Sequence, residues 1–213
     1  MKKSISLLLT IIMIFSLTAC GQSSSNKSGK SNVTTGESEV TTTAKSAKTP
    51  DTNNNILIVY FSWSTSGNTE KMANTIKENI GGDILKIEPS NPYPTDYSEC
   101  GDVAKKERDE NDRPEIANLP KSIEKYDTVL IGYPIWWHTA PMIIGTFLES
   151  FNLSEKEIYP FSQSASMDTE QFENSMDFVR KSAKGATVHN GLFADASDTE
   201  EITAYLADNG FKK

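Results

Sequence analysis

Residues 56–69, ILIVYFSWSTSGNT, restrict the possible folds more than any other stretch of the chain. Residues 56–61 are an unbroken apolar run rich in β-branched and aromatic side chains, the pattern of a strand buried on both faces of a sheet. Residues 64–69 hold only Ser, Thr, Gly and Asn, and beyond Glu70 the apolar residues Met72, Ala73, Ile76 and Ile80 recur at helical spacing. The stretch therefore predicts a central parallel strand, a polar loop and a helix.

A loop of this kind is suited to anions, because the first N–H groups of a helix are unpaired and its dipole is positive there. Side chains of Ser62, Ser64, Thr65, Ser66, Asn68 and Thr69, with Gly67 for the turn, are candidates to complete a phosphate cradle. No Lys or Arg stands in the loop, which argues against a magnesium triphosphate. The second and third glycines of a dinucleotide fingerprint are missing too, although Glu88 stands roughly where such a site keeps its acid. A single phosphomonoester fits better; otherwise the loop is an ordinary strand-to-helix turn.

The amino terminus predicts export. Lys2 and Lys3 precede an apolar run over residues 5–19, and small residues follow, the pattern of a secretory signal peptide spanning residues 1–19. The run is shorter than the ~20 residues needed to span a bilayer. Leu17-Thr18-Ala19-Cys20 resembles the lipobox of bacterial lipoproteins, which implies cleavage before Cys20 and a lipid on it, anchoring the protein extracytoplasmically to a bacterial membrane. Residues 21–54 hold seven Ser and seven Thr with almost nothing large and apolar, so residues 20–54 are expected to form a disordered tether. As a flexible coil it would reach about 30 Å.

Residues 55–213 suit one domain with a sizeable core. Residues 51–213 carry 15 Lys and Arg against 27 Asp and Glu, a net charge of −12 that excludes nucleic acid as a natural partner. Cys100 has no second thiol in the domain to pair with, and its polar surroundings in the sequence make it incidental.

Apolar runs predict further strands at residues 83–88, 128–133 and 157–161, and a weaker one at 186–193. Between them, residues 97–110 read as a charged helix, Thr139 as the cap of a helix with Pro141 in its first turn, Asp168 and Gln171 as a capping box, and Asp198 and Glu201 as the cap of the last helix. Strand and helix alternate five times. The fold class is α/β, a doubly wound five-stranded parallel sheet with helices on both faces, whose ligands bind beyond the carboxyl ends of the strands.

Three loops converge at that edge. The first is the phosphate cradle; the loop after the third strand offers Tyr133, Pro134, Ile135, Trp136, Trp137 and His138; the loop after the fourth offers Ser162, Gln163, Ser164, Ala165 and Ser166. They suit a flat aromatic ring with one phosphate tail, the shape of FMN. The two tryptophans are either flavin contacts or core aromatics. His138 lies on the same loop, whereas His189 reads as structural.

These residues carry a family resemblance. Residues 64–69 are similar to the phosphate loop of flavodoxin-like proteins, and Gly132-Tyr133-Pro134-Ile135-Trp136-Trp137 resembles a segment of one branch often encoded as secreted lipoproteins, as does KERDENDRPE over residues 106–115. The resemblance implies the sheet order 2-1-3-4-5 and FMN as cofactor. The sequence departs from that pattern in a first loop up to two residues longer and in Ala165-Ser166 where the branch has Gly-Gly.

With such a cofactor the protein contributes binding, orientation and electrostatics. Acidic surroundings and apolar rings disfavour added negative charge on the reduced ring, which lowers its potential and suits electron transfer. Two histidines and one thiol offer no metal cluster and no Cys-His or Ser-His-Asp set. The function expected is an extracytoplasmic FMN-binding electron carrier or flavin-dependent oxidoreductase, its redox partner a membrane quinone or an extracytoplasmic protein. The alternative is a non-redox module of the same shape, holding another phosphorylated ligand or a partner protein.

Overall fold

The computed structural model of the chain describes residues 55–164, 166 and 168–211. The expected signal peptide over residues 1–19, Cys20 and the tether to residue 54 lie outside the described residues, as does Ala165. The elements in order are β1 (Ile56–Tyr60), α1 (Asn68–Ile80), β2 (Asp83–Lys86), α2 (Tyr97–Glu110), β3 (Thr128–Pro134), α3 (Met142–Glu149), β4 (Glu157–Gln163), α4 (Thr169–Ser182), β5 (Thr187–Val188), β6 (Leu192–Phe193) and α5 (Thr199–Asp208).

The strands pair in parallel in the order β2-β1-β3-β4-β5, with β6 also pairing β4. The continuous apolar runs occupy the centre, as sheets covered on both faces require. Leu57, Val59, Phe61, Val129 and Ile131 face one core, with Ile143, Ile144 and Phe147 of α3 and Val179 of α4. Ile56, Ile58, Tyr60 and Leu130 face the other, with Met72 and Ile76 of α1 and Ile202 and Leu206 of α5. Each wholly buried Ile, Val or Leu in these layers contributes ~1.5–3 kcal/mol. Gly132 is required by packing, since a Cβ there would stand 2.2 Å from Cζ of Phe161 on the neighbouring strand.

Three sequence expectations change. The single strand expected over 186–193 is two short pieces, and the reason lies in β4. The N–H groups of His189 and Ala194 donate to the carbonyls of Ile158 and Ser162, so alternate β4 residues face that edge. Pro160 stands between them with no N–H to donate, and the ladder breaks opposite it. Second, Thr139 does not cap α3. Pro141 occupies the cap position without a side-chain bond, while Thr139 closes a tight turn with Trp136. Third, Cys100 is buried with Ala104 beneath α2, and burial pushes its thiol up to about 11. No helix among the described residues is long and apolar enough to cross a membrane.

Candidate functional site

The cradle forms where β1 hands over to α1. The Gly67 N–H donates to the Ser64 carbonyl at 3.0 Å, and the Ser66 N–H to Ser64 Oγ at 3.0 Å, drawing both hydroxyls together at 2.5 Å. Gly67 takes φ 61°, the left-handed region a glycine enters without penalty, and serves as the N-cap of α1. No side chain caps this helix. By contrast α2, α4 and α5 are each capped by an aspartate, at Asp96, Asp168 and Asp198. At the helix start that the sequence assigns to phosphate no carboxylate takes the cap position, and the one acid of its first turn, Glu70, is paired with Lys86 at 3.0 Å. Ser64, Thr65 and Ser66 are exposed around the opening, Ser62 and Asn68 are half-buried, and Thr69 is buried.

A hydrogen bond joins the first residue of α1 to the last of β4, where the next loop begins, from Asn68 Nδ2 to Gln163 Oε1 at 3.3 Å. Ser166 is exposed beyond Ser164, its N–H donating to Ser164 Oγ at 3.3 Å. Ser162 is not part of that loop. It lies inside β4, wholly buried, and donates to the Tyr133 carbonyl at 2.6 Å. Tyr133 likewise leaves the ligand edge: it is buried under α4 with its hydroxyl 3.2 Å from Ser175 Oγ, and burial pushes its pKa up.

The loop after β3 sends its residues in different directions. Pro134 ends the strand half-buried, and Ile135 packs against Phe172 and Met176 of α4. Trp136 stands half-buried in an aromatic cluster, edge-on to Tyr93 at 5.1 Å, Phe61 at 5.4 Å and Trp63 at 6.1 Å. Paired N–H···O bonds between Trp136 and Thr139, at 2.9 and 3.0 Å, enclose Trp137 and His138 at φ 48° and 63°. Two positive φ values in succession are those of a type I′ turn, made here without glycine or asparagine. Trp137 turns away from the cluster onto α2, where its indole N–H donates to the Gly101 carbonyl at 2.7 Å, and His138 is exposed.

The sequence reading missed the rest of the aromatic cluster. Trp63 comes from the elongated first loop, and its indole N–H donates to the Pro94 carbonyl at 2.8 Å. Tyr93 comes from the turn-rich loop before α2, and its hydroxyl donates to Glu107 at 2.8 Å. Burial raises the Tyr93 pKa, with Glu107 adding to it, and burial also raises that of Glu107. The available signal was an aromatic residue inside each of two otherwise polar loops. His189 is structural as expected: it stacks on Tyr159 at 4.1 Å and bonds Glu157. A hollow at the start of α5, lined by Asp195, Ser197, Asp198, Thr199 and Glu200, has no aromatic wall and does not suit a flat ring.

An uncapped helix start beside a cluster of aromatic rings, at the carboxyl edge of a 2-1-3-4-5 sheet, defines a flavodoxin-like class of protein. Residues 55–209 match the family described as Flavodoxin, and the chain belongs to that family. A protein of Bacteroides eggerthii DSM 20697 assigned as a flavoprotein is 33% identical, with a TM-score of 0.63 over 72% of this chain and 96% of its own. A flavoprotein of Lactobacillus acidophilus NCFM, crystallised in complex with FMN, is 28% identical with a TM-score of 0.58, over 70% of this chain and 97% of its own. None of the curated proteins matches this chain.

Proposed function

We propose that the domain binds FMN at the carboxyl edge of the sheet and works in electron transfer, either as a carrier or as a flavin-dependent oxidoreductase. The observation that carries this is the start of α1, left without a side-chain cap and ringed by Ser64, Thr65 and Ser66. Unpaired N–H groups and the positive helix end would hold the phosphate. The Asn68–Gln163 bond fixes the cradle relative to β4, and Trp136, held on its edges by three other rings, offers a rigid surface for the flat ring. FMN, when bound, supplies the redox chemistry. The flavoprotein of Lactobacillus acidophilus crystallised with FMN supports the cofactor.

The chain's own part is to bind, orient and tune. A net charge of −12 over residues 51–213 and a ring of apolar aromatics disfavour added electron density, so the potential of the bound flavin is lowered. The expected lipid on Cys20 places the domain at a membrane outside the cytoplasm, with a quinone or an extracytoplasmic protein as partner; membrane fractionation of Cys20→Ser against the parent chain tests this, and release of only the variant supports it. For the cofactor, the purified full chain is incubated with FMN, freed of unbound ligand and its absorption recorded. A retained flavin spectrum, bleached by reductant and restored by air, supports the proposal. Absence of flavin, together with unchanged tryptophan fluorescence during titration, overturns it in favour of a non-redox module.

A further inference from the structure

One face of α2 runs through Tyr97, Gly101, Lys105 and Arg108, positions three or four residues apart and so stacked along the helix. Three features stand out at this face and at Trp137 packed on it. Tyr97 is 81% exposed, although a large aromatic side chain gains most from burial. Gly101 sits mid-helix, where it costs ~1 kcal/mol relative to Ala, yet a Cβ there would meet nothing within 4 Å. Trp137 remains 38% exposed on a backbone held at positive φ, although a Gly or Asn would relieve that conformation.

Together they outline a notch. Its floor is Gly101. On the amino-terminal side Tyr97 lies 6.4 Å from Trp63, which in turn abuts Trp136. On the other side the Trp137 indole is fixed to the Gly101 carbonyl, and the Arg108 guanidinium lies 5.6 Å over its ring while donating to the Trp137 carbonyl at 3.2 Å. Arg108 and Lys105 share a single carboxylate, Asp109, at 2.6 and 2.5 Å, which sets two cations at this end of the notch.

We propose that this notch binds a planar aromatic molecule carrying an acidic group, its ring between the Tyr97–Trp63 and Trp137 walls and its anion toward Arg108 and Lys105. Flat walls select a ring, the missing side chain at Gly101 gives it room, and the cations select a negative substituent. Aromatic contact with Trp63 places such a molecule next to the flavin surface offered by Trp136. The notch would therefore seat an electron-exchange partner of the quinone class bearing an acidic substituent, a role that rests on the FMN reading although the binding itself does not.

The test is equilibrium dialysis of anthraquinone-2-sulfonate, and of uncharged 2-hydroxymethylanthraquinone, against the full chain with and without saturating FMN. The sulfonate is expected to bind in both conditions. Gly101→Leu fills the notch with a good helix former and should weaken both probes about tenfold, ~1.4 kcal/mol. Tyr97→Ala should weaken both by about threefold, and Arg108→Gln the sulfonate alone by a similar factor. All three tryptophans of the chain, Trp63, Trp136 and Trp137, border the region, so their quenching reports the same event. Probe binding abolished by FMN, unaffected by Gly101→Leu, or weakened equally for both probes by Arg108→Gln would overturn the notch. If the chain retains no FMN but binds the sulfonate in a Gly101-dependent way, the notch stands and the flavin reading falls.

Discussion

Two of the helices that begin at the ligand edge, α1 and α4, begin differently. α4 closes its own start: Asp168 accepts the Glu170 N–H, and Gln171 accepts the Asp168 N–H, completing a capping box. α1 starts on Gly67, with no side chain over its first N–H groups. Both lie in the same structural layer scheme and both bury a regular apolar stripe. The difference is that the chain caps one start with its own side chains and leaves the other without a side-chain cap.

Placing a carboxylate at the open start should have the largest effect. Gly67→Asp sets a negative charge where the phosphate would lie, and at ~4 Å and an effective dielectric of ~20 the repulsion approaches ~4 kcal/mol. FMN affinity is expected to fall by about a hundredfold, ~2.8 kcal/mol, in fluorescence titration. Gly67→Asn, which adopts the same left-handed backbone without charge, should lose much less. If both lose equally, shape rather than charge distinguishes the two helix starts. Opening the closed start should show in stability instead. Asp168→Ala is expected to cost ~1 kcal/mol and lower Tm by ~2–4 °C, with FMN affinity within about twofold of the parent. Cutting the tie between the regions is milder still. Gln163→Leu removes one long neutral hydrogen bond and should weaken FMN about twofold.

The smallest effect touches neither helix start and serves as a control for both. Burial raises the pKa of Glu107 behind Tyr93, so the folded state binds its proton more tightly than the unfolded state does. Stability from this group is therefore greatest at low pH and is lost as pH rises through the ordinary carboxylate range to the raised folded value. Glu107→Gln abolishes that dependence. Relative to the parent it should gain a few tenths of a kcal/mol between acid and neutral pH, read by urea unfolding at each pH, the half-exposed position being screened by solvent.

What the sequence discloses follows the range of the interaction responsible. The central strands are legible because burial on both faces leaves an unbroken apolar run, and α2 is legible to the residue because Asp96 and Asn111 bracket it locally. The break between β5 and β6 is invisible within residues 186–193, since its cause is Pro160 on the next strand. Cys100 escaped because the buried stripe of α2 consists only of Cys100 and Ala104, too narrow to register as periodicity. The turn at Trp137 and His138 depends on Gly101 and Arg108, thirty or so residues away in sequence. In the candidate site, the loop between β1 and α1 is local and its place between strand and helix was read directly. The aromatic cluster is assembled from three separate loops, and only its Trp136 third was read.

The broken strand also bears on how this sheet behaves among its neighbours. An open sheet offers unpaired backbone at its two margins, where a foreign strand can add and seed aggregation. At one margin the chain never presents more than two successive strand residues, Thr187–Val188 and then Leu192–Phe193, with a gap between them. At the other, β2 is four residues long with Asp83 and Lys86 exposed at its ends, and Asn118 already occupies the Lys86 carbonyl. A single proline in an interior strand thereby helps to keep copies of this domain apart when they are crowded together.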